Sequence, residues 1–559
     1  MEKKTYIKLP RSVIIGLFFI VILAFIVRIV MVSSLPPSLN WDEVSHGYNA
    51  YSILKTGKDE WGKPLPLANF RAYGDYPLPL NLYLTIPFIF IFGLTEFAIR
   101  LPHVMLGTLA VISTFWLAFG LTKSKKIALI SSFLVAVSPW TLFTSRFVIQ
   151  SNLSVFLLTT SLACFFNREK SEKLVTWSFL LLGLSLYAYN TTRIIAPIVL
   201  LAYFIFYRSE KLLNLKNKII LVLFFLPLPF ILLNSNARAR SFAVSIINEG
   251  SINRIIENRQ QIKLPEPLPR ILSNKVTYFI GEFGKNYIGY FSPNFLFLKG
   301  GTQYQFSIPN RGLIYWINLP FFYIGLFLLL KKVFKKDVNY LFLLTILLLA
   351  PIPAAMTTEK FAVLRSSAMI PIPMILTSMG LFYTIRKLRL KNNEFIIFLF
   401  IFLNLLFLEN YMVNYISKYS KDYSQSWQYG YKEVTEYIKE NTDNYAKIIV
   451  TKKYGEPHEF LLFFLKFDPK RYMNDKNLVR FNQSSWWWVD AFDKYYFVND
   501  WQIPKEGYKF LLESKKLIDC RQAKCLLVTS PNNAPKEWNK VKTINFLDGQ
   551  PAFELYENN

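Results

Sequence analysis

Acids stand out in this chain at Asn40-Trp41-Asp42-Glu43, just beyond an apolar run at 12–32. Two adjacent carboxylates beside an aromatic suit a general base that meets a substrate carried in lipid. The same pair suits a purely structural task. An Asp-Glu step often caps the first turn of a helix, here predicted over 42–55. Residue type and spacing leave both readings open.

Isolated arginines form the second group. Arg71, Arg100, Arg146, Arg193 and Arg365 stand apart from the basic clusters, and a guanidinium fork matches a phosphate. An arginine at the end of a span also snorkels to headgroups with no further task. Gln150 and Asn152 follow Arg146 at the start of an apolar run. Asp75 lies in a Gly74-Asp75-Tyr76 turn, suited to sugar or acceptor hydroxyls. His46 falls one helical turn after Asp42. His103 and His458 have no companions at metal-ligand spacing.

Trp486-Trp487-Trp488 could stack on sugars, but consecutive residues alternate faces, which favours core or interface. No P-loop, dinucleotide fingerprint, nucleophile elbow or zinc signature occurs. With no nucleotide site, a lipid-phosphate donor fits better than a nucleotide sugar. Cys520 and Cys525 can pair in an oxidising compartment, if their Cα atoms come close enough.

The elements that hold these residues follow from composition. Of 559 residues, 52% are hydrophobic, 17% aromatic and only 18% charged, against about 25% charged in a soluble domain. Apolar runs of spanning length make the chain a polytopic α-helical membrane protein. The net charge of +27 would elsewhere suggest nucleic acid. Here the excess sits in short clusters between apolar runs, as the positive-inside rule expects, so no nucleic acid is expected as partner.

Spans are predicted at 12–32, 97–121, 127–143, 151–167, 173–189, 192–207, 217–234, 313–331, 338–356, 366–385 and 393–412. A twelfth stretch, 80–94, is short and contains Pro87. If it does not cross, every dense Lys/Arg cluster falls on the side of the N-terminus. It is therefore read as an interfacial helix. The N-terminus is then cytoplasmic, and 33–96, 235–312 and 413–559 face outward. The last is predicted to be a soluble α/β or α+β domain, with strands near 447–450 and 525–530 and a helix over 431–442. The domains are thus a transmembrane part, 1–412, and an extracytoplasmic part, 413–559.

The stretches 41–67 and 70–102 (from WDEVSHGYNAYSILK to FRAYGDYPLPLNLYL) resemble the first outer loop of C-type membrane glycosyltransferases. More narrowly, they are similar to bacterial relatives of dolichyl-phosphate-mannose–protein mannosyltransferase and of the aminoarabinose transferase for lipid A. SRFVIQSNLSVFLL (145–158), SLYAYNTTRIIAPIVLL (185–201), YFSPNFLF (290–297) and PIPAAMTTEKFAVLRS (351–366) continue the resemblance, which covers 1–412.

The resemblance implies a GT-C fold, a polyprenyl-phosphate sugar donor, and inverting transfer at the outer face of a prokaryotic plasma membrane. The acceptor is a protein, lipid or glycan. It places Asp42 at the catalytic base, with Glu43 orienting it. Arg146, Arg193 and Arg365 are expected to bind the phosphate, aided by Gln150 and Asn152, and Asp75 to serve acceptor or sugar hydroxyls.

No metal site or required cofactor is expected, and a divalent metal stays an open alternative. The sequence departs from the family at Pro77, Gln150 and Asn190, where relatives carry Lys, an acid and His. Two other classes compete. One is a transporter or lipid flippase, which the near absence of acids from the spans disfavours. The other is a catalytically inactive scaffold of the same fold.

Overall fold

The computed structural model describes residues 9–74, 76–207, 214–233, 244–388, 392–483 and 486–558. Helices occupy all eleven of the apolar runs named above. Among the described residues six helices are long and apolar enough to cross a membrane: Arg11–Ile29, Glu96–Thr122, Trp316–Phe334, Val338–Ala355, Ser367–Lys387 and Asn393–Asp422. The remaining runs are helical but shorter or interrupted. By its internal contacts the chain divides into two compact units.

The first unit comprises 1–30, 103–145 and 149–412. Its opening helix α1, Arg11–Ile29, turns Ile14, Ile15, Phe18, Phe19 and Ile26 outward, as a lipid-facing surface requires. The one charge near its end, Arg28, is fully buried. Its use follows from a proline. Helix Lys125–Val137 stops before Pro139, which has no N–H to offer the carbonyl of Val135. Arg28 donates to that carbonyl at 3.2 Å and to the carbonyl of Ala136 at 2.8 Å. Gly107 makes room, because a Cβ there would lie 2.9 Å from Arg28 Nε. A buried charge is retained here by satisfying backbone that a broken helix leaves open. Elsewhere in the unit, Gly325 and Gly380 let the helices Leu319–Phe334 and Ile372–Lys387 touch backbone to backbone.

The second unit comprises 31–102, 146–148 and 413–559. The first outer segment, grouped with 1–412 by sequence, therefore shares a compact unit with the C-terminal part. The reason is apolar burial. Helix α2, Trp41–Thr56, places Val44 and Tyr48 in one core with Phe460 and Phe463 of the helix Pro457–Phe464. Gly47 is the contact point: a Cβ there would meet the Phe463 ring at 2.5 Å.

Behind that core stands a seven-stranded mixed sheet. Its strands are β1 Lys447–Thr451, β2 Val479–Gln483, β3 Trp486–Phe492, β4 Tyr495–Val498, β7 Cys525–Thr529, β8 Asn539–Asn545 and β9 Pro551–Glu557. The order is β2-β3-β4-β1-β7-β9-β8. Buried β1 pairs in parallel with β4 and β7, and its run of apolar residues fits burial on both faces. A small pair, β5 Lys509–Leu511 with β6 Leu517–Asp519, flanks the sheet. Cys520 and Cys525 form a disulfide. Helix α3, Pro79–Phe92, has 14 residues and exposes Phe90 and Ile91, too few for a span that needs about 20.

Candidate active site

Helix α2 has a fully formed start. Asn40 accepts from the Glu43 backbone N–H at 3.0 Å, and Glu43 accepts from the Asn40 N–H at 3.3 Å. This reciprocal box ends the loop and fixes the helix direction. Gly57, in the left-handed region at φ 71°, ends the helix.

The adjacent acids part company at this point. Successive helical residues point about 100° apart, so Asp42 is exposed while Glu43 has no exposed surface. Glu43 is clamped by Arg100, whose Nε and Nη2 each donate at 2.8 Å to different carboxylate oxygens. The Val148 backbone N–H donates to Glu43 Oε1 at 3.0 Å. The other hands of Arg100 bind the carbonyls of Val32, Pro36 and Ser38 at 2.9, 3.2 and 2.6 Å. Two sequence expectations change accordingly. Arg100 is not available to a phosphate, and Glu43 is a structural acid that orients α2, with no room for proton transfer.

Asp42 receives a hydrogen bond from the Tyr73 hydroxyl. Tyr73 is itself buried and stacks on Trp486, centroids 5.1 Å apart at 29°. His46, one turn along, turns away: its Nε2 is 2.8 Å from the hydroxyl of Thr85 on α3. Burial holds its imidazole far down, at about 3, so it is neutral.

Arg146 lies in this same unit, buried, with Nη2 donating to the Leu35 carbonyl at 3.4 Å. Its guanidinium stands 5.6 Å from the Tyr415 ring centroid. Gln150, Asn152, Arg193 and Arg365 belong to the first unit. Gln150 opens the helix Gln150–Phe166. Asn152 spends its amide on the His103 carbonyl at 2.9 Å. Arg193 binds back to the Leu186 carbonyl at 3.2 Å and to Asn190 at 3.3 Å. Arg365 pairs with Glu359. Asp75 lies outside the described residues.

The tryptophan triplet serves as an interface. Trp486 meets Tyr73, and Trp487 packs edge-on to Trp61 at 5.6 Å. Arg71 lies against both the Trp61 and Trp487 rings, 4.4 and 4.1 Å from their centroids.

One cluster escaped the sequence reading. Glu60, Glu456 and Glu459 are all buried in the second unit near Arg480 and His458. Burial pushes Glu60 and Glu456 up to about 7, and pushes Glu459 well up as well. The acids reinforce one another, while Arg480 opposes the rise for Glu60 and Glu459 and Lys452 for Glu456. His458, 3.5 Å from Glu456 and 3.7 Å from Glu459, is held down by burial. The available signal was Glu459 beside Phe460-Leu461-Leu462, an acid entering an apolar run. Among the described residues no three His, Cys, Asp or Glu side chains are grouped so as to hold a metal ion.

Comparison with known proteins gives one family profile, described as dolichyl-phosphate-mannose-protein mannosyltransferase, matching residues 18–233. A search of curated proteins finds no match. Among solved structures, ArnT from Cupriavidus metallidurans in the apo state is similar at a TM-score of 0.51 and 11% identity, over 97% of each chain. The same protein bound to undecaprenyl phosphate gives 0.50 and 12%, over 97% of this chain and 98% of that one. The archaeal oligosaccharyltransferase AglB from Archaeoglobus fulgidus, in complex with an inhibitory peptide and a dolichol-phosphate, gives 0.49 and 13%. That match covers 81% of this chain, which spans 63% of the archaeal chain's length. Profile and ArnT fold agree with the first-loop motif. The chain is an integral membrane protein with the GT-C fold of ArnT, and it is similar to the mannosyltransferase family over residues 18–233.

Proposed function

We propose that this PMT-like chain is an inverting glycosyltransferase that moves a sugar from a polyprenyl-phosphate donor to an acceptor at the outer face of the membrane. The observation that carries the reading is the contrast at the start of α2: Glu43 is consumed by structure, and Asp42 is presented to solvent on a fixed helix end. The mannosyltransferase profile includes this helix. The similar ArnT chain was solved with undecaprenyl phosphate, a lipid phosphate of the class a spent donor becomes.

The chemistry asks little of the protein. The anomeric carbon already carries a phosphate leaving group. Asp42 takes the proton of the acceptor hydroxyl or amine as that atom attacks the anomeric carbon. The bond to the phosphate oxygen breaks on the opposite face, and configuration inverts in one displacement. Cations must meet the charge left on the phosphate. Arg365, partly exposed beside Glu359, and Arg193 are the leading candidates. Arg146 is the third, and it needs to leave its packing against Leu35 and Tyr415. Gln150 and Asn152 are proposed to assist there, and Asp75 to bind acceptor or sugar hydroxyls.

The disulfide Cys520–Cys525 supports an oxidising, extracytoplasmic setting for the second unit. The donor sugar and the acceptor are read from cells. A deletion strain should lose one sugar from its envelope glycans, lipids or proteins and accumulate the matching polyprenyl-phosphate sugar. Wild-type chain restores both. Asp42→Asn, expressed to the same level, restores neither, because loss of a positioned base costs about 10²–10⁴ in rate. Full restoration by Asp42→Asn refutes the base and favours the scaffold reading.

A further inference from the structure

The proposed base is an exposed side chain on a loop-borne helix, yet it is tied to the interior of the second unit. Tyr73 donates its hydroxyl to Asp42 while its ring is only 4% exposed. The ring is fixed from behind. Trp486 lies against it, centroids 5.1 Å apart and planes at 29°. The Trp487 backbone N–H donates to the Tyr73 carbonyl. Gly74 presses on the same indole so closely that an added Cβ would stand 2.2 Å from a ring carbon.

The indole in turn has a fixed plane. Trp486 Nε1 donates to Glu456 Oε1 at 2.6 Å, and Glu456 is buried in the acid cluster beside His458. The other groups acting on this carboxylate are Lys452, which is ion-paired with Asp490, and Glu60. A carboxylate, an indole N–H, a stacked ring and a phenol thus form a continuous series ending on Asp42. The residues that build it are 400 positions apart in sequence.

We propose that Trp486, braced by Glu456, is a positioning residue for Asp42 and acts through Tyr73. The inference rests on the reading of Asp42 as the base. With one oxygen bound to a phenol that cannot turn, the carboxylate keeps a defined direction for the oxygen that takes the proton. That is worth rate, because a base must lie within hydrogen-bond reach of the proton it removes. The C-terminal domain then contributes to catalysis without touching substrate. This gives a reason for the first loop and residues 413–559 to fold as one unit. Loss of a hydrogen bond to a charged group sets the expected loss at about 10–100-fold.

The test has two arms, both on the full chain in detergent or membranes. In the first, 3-fluorotyrosine replaces Tyr73 and its fluorine resonance is recorded. Asp42→Asn should move the resonance. Trp486→Ala should move or broaden it, and Trp486→Phe, which keeps a stacked ring but has no N–H for Glu456, should give a smaller shift than Trp486→Ala without restoring the wild-type position.

In the second arm, transfer is measured with the donor identified by lipid profiling. Tyr73→Phe and Trp486→Ala should each lower kcat about 10–100-fold, with KM little changed. The double variant should be no slower than Tyr73→Phe alone, because both remove one chain of contacts.

A resonance indifferent to Trp486→Ala overturns the inference, and so do losses that multiply in the double variant. Should Trp486→Ala fail to fold, Glu456→Leu removes only the brace, and the same resonance must respond to it. Full transfer by Asp42→Asn sinks the catalytic reading instead. The fluorine arm would then still decide whether the indole governs the phenol.

Discussion

Two flanks of helix α2 hold buried carboxylates, and they solve the cost of burial in opposite ways. At the N-terminal flank Glu43 meets Arg100 as a matched bidentate pair, with backbone groups taking the remaining valences of both. At the other flank Glu60, Glu456 and Glu459 gather around Arg480, with Lys452 already paired to Asp490. Acids outnumber cations there. One flank keeps its charges by satisfying them; the other gives up charge by holding protons toward neutral pH. The first is a lock of matched charges. The second titrates, and it underlies the indole that faces Tyr73.

The strongest way to break this comparison is at the lock. Glu43→Ala leaves Arg100 buried without its counter-ion, which should cost about 3–5 kcal/mol. In detergent, thermal or denaturant unfolding of the second unit should show the loss. A change under 1 kcal/mol would mean the pair is not the anchor of the first loop.

Glu456→Gln sharpens the contrast and should act in the other direction. Burial raises Glu456 from the usual 4.5 to about 7. A raised folded value contributes stability below pH 4.5 and loses it as pH climbs to 7. Glutamine cannot ionise and keeps an acceptor for Trp486. The variant should therefore match wild type at pH 4 and exceed it by about 3 kcal/mol at pH 8, at 1.36 kcal/mol per unit. A difference independent of pH would show that folding does not raise the Glu456 carboxyl.

The smallest effect belongs to an exposed pair in the same unit. Lys432 reaches Glu96 at 2.6 Å with its side chain 47% exposed. Lys432→Ala should change unfolding by less than about 1 kcal/mol, and added salt should erase the difference. A larger, salt-resistant loss would place that contact with the lock.

Much of this architecture is local and so legible in residues near one another. Apolar length places the helical runs, whichever of them cross. The strands near 447–450 and 525–530 and the helix near 431–442 appear as β1, β7 and Tyr431–Glu440, because alternation and amphipathic period are short-range signals. The helix beginning near Asp42 and its capping acid are equally local. The Trp486-Trp487-Trp488 run was legible as core or interface from the alternation of faces, though neither which of the two nor which surface it meets.

The tertiary structure alone decided the rest. Adjacent acids at 42 and 43 look alike in sequence. Which one faces solvent depends on Arg100, a residue whose distance in space no local pattern encodes. The same holds for the arginines. Arg100 is spent on Glu43, Arg193 turns back to the Leu186 carbonyl, and Arg365 meets Glu359. The acid cluster joins Glu60 to Glu456 and Glu459, and Trp486 to Tyr73, across about four hundred residues. Propensity and hydropathy act over one or two helical turns, whereas burial and charge pairing are set by whatever packs against a group. Sequence by itself therefore determined that this is a many-helix membrane protein with a carboxylate-bearing first loop. Packing decided which carboxylate is structural, which is presented, and what stands behind it.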